Sequence, residues 1–108
     1  MSRSPSNKSR TPTTQVQPDP EEVQRAFGRK VRELRQAAEL TIEDLAELST
    51  LHPSYVGGVE RGVRNLSLVN IWRLANGLSV SATMLLSDLP KPVSRSKKGR
   101  EANARSPR

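Results

Sequence analysis

Between residues 20 and 89 the apolar side chains recur at the spacing of helices rather than of strands. Val23, Phe27, Val31, Leu34 and Ala38 follow one another at steps of four, four, three and four, which places them on one helical face. Ahead of them Asp19 supplies an N-cap and Pro20 a first helical residue whose missing N–H costs nothing there. Glu21 and Glu22 add the negative charge that a helix start favours. Arg25, Arg29, Lys30 and Arg32 fall on the outer face of this helix. A second helix starts at Thr41, with Asp44 at capping-box spacing and Ile42, Leu45, Ala46 and Leu48 as its apolar side. Thr50 and Leu51 make a turn. His52 then caps a third helix that has Pro53 at its first position and Gly62 at its end. Ser67 caps a fourth helix with the stripe Leu68, Ile71, Leu74, Ala75 and Leu78 and with Gly77 as its stop. Ser81 caps a short fifth helix holding Met84, Leu85 and Leu86, and Leu89–Pro90 closes the segment. No stretch alternates as a strand would, so the expected fold is all-α with five helices.

Charge divides the chain in three. The 108 residues carry a formal net charge of +7. Residues 20–89 are close to neutral, whereas residues 90–108 hold seven Lys or Arg against the single acid Glu101. Residues 1–19 are rich in Ser, Thr and Pro, with Arg3, Lys8 and Arg10 as their basic groups. Neither end has enough apolar surface to offset the entropy of ordering it. Residues 1–19 and 90–108 are therefore expected to be disordered tails around a folded domain at 20–89. The basic run Arg95 to Arg100 suits added, sequence-independent affinity for a polyanion.

Composition also narrows the chemistry. Cysteine is absent, so neither a disulfide framework nor a thiolate site is available. The only histidine, His52, stands at a helix start, and no carboxylate has a His or Lys partner at catalytic spacing. No enzyme activity, metal or cofactor is expected. No apolar run approaches membrane-spanning length or resembles a signal peptide. The reading is a cytoplasmic protein, nucleoid-associated when bound to DNA.

Residues 41–62 carry the most specific signal. Two short amphipathic helices joined by a tight turn are the layout of a helix-turn-helix, in which the second helix enters the DNA major groove. On a helical wheel with Val56 inward, Val59, Glu60 and His52 fall on the core side. Ser54, Gly58 and Arg61 fall opposite, with Tyr55 and Gly57 on the flanks. The outward face thus offers a hydroxyl, a phenol, a guanidinium and two patches of bare backbone. Glycine inside a helix costs roughly 1 kcal/mol relative to alanine. The pair Gly57–Gly58 therefore suggests close approach to a groove floor, with close packing on another helix as the competing explanation. Arg61, Arg64 and Asn65 follow at the helix end and in the next loop, where phosphate contacts are usual.

Together these residues resemble the Cro- and repressor-type helix-turn-helix family. The pattern runs through L-T-x-x-D-L-A at Leu40–Ala46, S-Y-V at Ser54–Val56, E-R-G at Glu60–Gly62, R-N-L-S-L at Arg64–Leu68 and L-S-V-S at Leu78–Ser81. Within that family S-Y-V-G-G-V-E-R-G followed by R-N-L-S-L is most similar to controller proteins of restriction–modification systems and related small regulators. The resemblance implies a five-helix repressor-type domain that binds double-stranded DNA, usually as a homodimer on a palindromic operator. It implies base or groove contacts at Pro53, Ser54, Tyr55, Gly57 and Gly58, and phosphate contacts near Arg61, Arg64 and Asn65. His52 is a further candidate at the start of the same helix. It also implies a structural ion pair between Arg35 and Glu60, and a dimer surface at Trp72, Met84, Leu85 and Leu86. Two departures stand out. Ile42 occupies a position where the family often has a phosphate-holding Gln, and Pro53 and Ser54 replace stronger base readers, which shifts weight toward groove shape. Two other functions fit the same residues: an antitoxin-type autoregulator that also binds a protein partner, and a degenerate helix-turn-helix used for protein interaction.

Overall fold

The computed structural model describes residues 17–93. Five helices follow in order: α1 (Pro20–Ala37), α2 (Ile42–Ser49), α3 (Pro53–Arg61), α4 (Leu68–Leu78) and α5 (Ala82–Leu85), with no strand among the described residues. The tails expected at residues 1–19 and 90–108 fall almost entirely outside that range.

Each helix begins where a polar side chain, short in every case but His52, can accept from an otherwise unpaired backbone N–H. Asp19 Oδ1 accepts from Glu21 N at 3.1 Å, Ser67 Oγ from Asn70 N at 3.1 Å and Ser81 Oγ from Met84 N at 3.1 Å. At Thr41 the box is reciprocal: Asp44 N donates to Thr41 Oγ1 at 3.0 Å, and Thr41 N donates to Asp44 Oδ2 at 3.0 Å. The helix ends are less conventional. Only Gly62 closes a helix with a glycine at positive φ (81°). Glu39, Thr50 and Ser79 adopt the left-handed region at φ 59°, 54° and 59°, a conformation that disfavours residues with a Cβ.

The core is built from Phe27 and Val31 of α1, Leu45 and Ala46 of α2, Val56 and Val59 of α3, Leu74, Ala75 and Leu78 of α4, and Leu85 of α5. Helix α1 packs on α3, and α2 packs on both α3 and α4. Two glycines allow these approaches. A methyl group at Gly28 would collide with the Val59 carbonyl oxygen, and one at Gly77 with the Ser49 hydroxyl.

Several expectations are corrected here. Gly77 does not stop α4; the helix continues so that Leu78 reaches the core, and Ser79 makes the turn. Leu48 is exposed and Ser49 is buried instead, because α2 meets α4 through a small-on-small contact between Ser49 and Gly77. Leu68 opens the expected stripe of α4 yet is 78% exposed, since the stripe's phase does not reveal how far a neighbouring helix extends along it. Ala38 is exposed as well. Helix α1 ends at Ala37 and the chain reverses at Glu39, so that Leu40 packs against the core in its place. Lys30 is mostly covered rather than outward, with its ammonium 3.3 Å from Asp88.

Candidate nucleic-acid interface

Helix α3 is held from behind by Val56 and Val59, both fully buried, and from the side by one guanidinium. Arg35 Nε donates to Glu60 Oε2 at 2.6 Å and its Nη2 donates to Glu60 Oε1 at 3.0 Å. Its Nη1 donates to the Leu40 carbonyl at 2.9 Å. A single side chain of α1 thereby fixes α3 and the connection to α2. The Glu60 side chain retains only 5% of its exposure, so the pair is bidentate and largely desolvated. The hydrogen bonds to Glu60, opposed by partial burial and reinforced by that carboxylate's charge, hold the Arg35 pKa above its ordinary value.

The outer side of α3 differs from the helical-wheel expectation in two ways. His52 is exposed rather than inward, because an N-cap has extended backbone (φ −75°, ψ 141°) and lies outside helical geometry. Its Nδ1 accepts from Ser54 N at 3.2 Å and stands 2.8 Å from Ser54 Oγ, so imidazole and hydroxyl form one polar unit beside exposed Pro53. Gly57 and Gly58 are buried, but not beneath another helix. A Cβ at Gly57 would stand 3.2 Å from Arg61 Nη1, and one at Gly58 3.2 Å from Arg64 Cγ and Nε. The two arginines therefore lie back over the two bare backbone patches. Both are long, flexible and solvent-exposed, so they can move aside when another surface approaches.

Tyr55 is half-buried and packs against the core. Its hydroxyl accepts from Asn70 Nδ2 at 3.0 Å, and the Arg64 guanidinium lies 5.2 Å from its ring centroid. Asn65 is exposed in the loop that follows. A cleft between the start of α2 and α3 is lined by Thr41, Ile42, Glu43, Ser54, Gly57 and Arg61. Ser54, Tyr55, Gly57, Gly58, Arg61 and Arg64 thus come together along α3 and its exit loop.

Two residues escaped the sequence analysis. Arg25 of α1 packs against Gly62, whose absent Cβ would stand 2.6 Å from Arg25 Cγ, and it lines the same surface recess as Arg61. Its position on the basic outer face of α1 was the available signal. Asn70 gave none, because its contact with Tyr55 joins different helices. At the expected dimer surface the four residues separate. Trp72, Met84 and Leu86 are 60%, 43% and 39% exposed. Leu85 is fully buried in the monomer core and is removed from that surface, since the one inward position of a single-turn helix must anchor it.

Among the described residues no group of three or more His, Asp or Glu is arranged to hold a metal ion, and no helix is long and apolar enough to cross a membrane. A family model described as helix-turn-helix matches residues 31–85. Control protein C.MunI of Mycoplasma sp is 36% identical over 66 residues, covering 60% of this chain and 89% of that protein. Control protein C.BamHI of Bacillus amyloliquefaciens is 41% identical over 61 residues, covering 56% and 75%. Of solved structures, the restriction-modification controller protein C.AhdI from Aeromonas hydrophila is 55% identical, with a TM-score of 0.57 over 57% of this chain and 94% of that one. The resemblance read from the motifs and the all-helical fold are both borne out.

Proposed function

Since this chain belongs to the helix-turn-helix family of DNA-binding transcription regulators, we propose that it acts as a homodimer on a palindromic duplex operator. The observation that carries the reading is the outer side of α3, where Ser54, Tyr55 and two glycines, overlain by the exposed side chains of Arg61, Arg64 and Val63 rather than by another helix, form one surface. In this reading α3 enters the major groove. Arg61 and Arg64 leave the glycines for phosphates or base edges, and the backbone at Gly57 and Gly58 approaches the groove floor. Pro53, Ser54 and His52 meet the DNA at the start of the helix, and Asn65 and Arg25 flank it at the end. Arg35 and Glu60 keep α3 at a fixed angle and take no part in readout.

Trp72, Met84 and Leu86 support the dimer, because large apolar side chains this exposed on a small domain favour burial against a second copy. A two-fold axis through that surface would present two α3 helices to successive turns of one duplex face. C.AhdI is a restriction-modification controller protein, and control of such a system is the regulatory setting proposed for this chain.

The test is selection of bound sequences from random duplex DNA near physiological salt. Two inverted half-sites spaced by about one helical turn are expected. Absence of any enriched motif would overturn the specific-regulator reading.

A further inference from the structure

We propose that Asn70 is a positioning residue that sets the hydrogen-bond polarity of Tyr55, making the phenol a donor toward DNA. The inference rests on the reading of α3 as the groove-facing helix. Tyr55 is the only tyrosine of the chain. Its hydroxyl oxygen accepts from Asn70 Nδ2, across 15 residues of sequence and between two helices. An amide nitrogen has only hydrogens to give, so the phenol oxygen is used as an acceptor and its own hydrogen remains for another partner. Asn70 is itself fixed. It is the third residue of α4, and its backbone N–H donates to the capping hydroxyl of Ser67 at 3.1 Å. In the free protein the Arg64 guanidinium also lies over the ring face, 5.2 Å from its centroid.

A hydroxyl restricted to donating selects acceptors. On duplex DNA these are phosphate oxygens, or purine N7, guanine O6 and thymine O4 at the major-groove edge. The amino groups of cytosine and adenine offer the wrong polarity. Asn70 thereby specifies what Tyr55 can recognise without touching DNA itself. Aspartate at position 70 would reverse the arrangement, because a carboxylate accepts only and draws the phenol hydrogen inward.

The experiment is a double-mutant cycle read by fluorescence anisotropy. The probes are the duplex that wild type selects from a random library and a scrambled duplex of the same length. N70A and Y55F should each weaken binding roughly five-fold, the loss expected for one hydrogen bond, and N70A/Y55F should be no weaker than Y55F alone. N70D should lose more than N70A, and most of that excess should vanish in N70D/Y55F, which retains the added charge but has no hydroxyl to reorient. Loss confined to the selected duplex places the contact on a base edge, and equal loss on both duplexes places it on phosphate; either supports the proposal. Thermal melts of each variant separate folding from binding. If Asn70→Ala costs the same factor with and without the Tyr55 hydroxyl, Asn70 only braces α4 against α3 and the proposal is overturned. A wild type that binds its duplex while N70A and N70D bind equally well overturns it too. A wild type that selects no duplex overturns the underlying DNA reading, and this inference falls with it.

Discussion

Gly57 and Gly58 look alike in sequence to Gly28, yet the three sit against different materials. The first two adjoin arginine side chains, whereas Gly28 adjoins the backbone of α3. Alanine at 58 has to displace only the flexible stem of Arg64, and its better helix propensity contributes about 1 kcal/mol. G58A is therefore expected to raise the melting temperature by about 4–8 °C while weakening operator binding. Thermal melts paired with anisotropy check this, and a variant that gains stability with undiminished affinity would remove the close-approach role of the glycine. G28A should do the reverse of stabilising. Its methyl group meets the Val59 and Glu60 carbonyls, which cannot yield without shifting α3, so a loss of about 1–3 kcal/mol is expected.

At the scale of elements, α3 depends on the Arg35–Glu60 pair for its angle. E60A leaves a largely buried guanidinium with only the Leu40 carbonyl, and the expected loss is about 3 kcal/mol by urea denaturation. Replacing both partners with apolar residues of similar volume should recover most of it, since the penalty lies in the uncompensated charge. The start of α2 responds to acid instead. The Asp44 carboxylate is held below its ordinary pKa of 3.8, first by the Thr41 backbone N–H and then by the Thr41 hydroxyl. A depressed folded value means that the capping contribution is present above pH 3.8 and fades as the pH falls through the lower, folded value. Wild type should exceed D44N in melting temperature near neutrality and converge with it in acid. These caps were legible in the sequence because Asp19, Thr41, Asp44, Ser67 and Ser81 act within three residues of their partners. Leu48, Leu68, Gly77 and Asn70 were misread or missed because each depends on which neighbour lies across the gap. Periodicity fixes the phase of a helical face and says nothing about where its partner begins or ends. The candidate surface was legible as a set of residues, but not the folding of Arg61 and Arg64 over the glycines, which depends on side-chain reach.

For the whole molecule, residues 20–89 are close to neutral and the basic excess lies toward the two ends of the sequence, so the proposal gives the ends the sequence-independent part of DNA affinity and α3 the specificity. Pairing of two copies would then determine how many half-sites are read together. W72E places a charge in the proposed contact at a position already 60% exposed, so folding should persist. Sedimentation is expected to find W72E monomeric at concentrations where wild type is dimeric, with operator affinity reduced at least ten-fold. A W72E protein that remains dimeric would move the contact elsewhere. The left-handed turns at Glu39, Thr50 and Ser79 have a wider consequence. Three of the junctions between helices rest on residues poorly suited to them, so the domain keeps an unused margin of heat tolerance. Glycine at those junctions offers a route to a hardier protein that leaves every side chain of α3 in place.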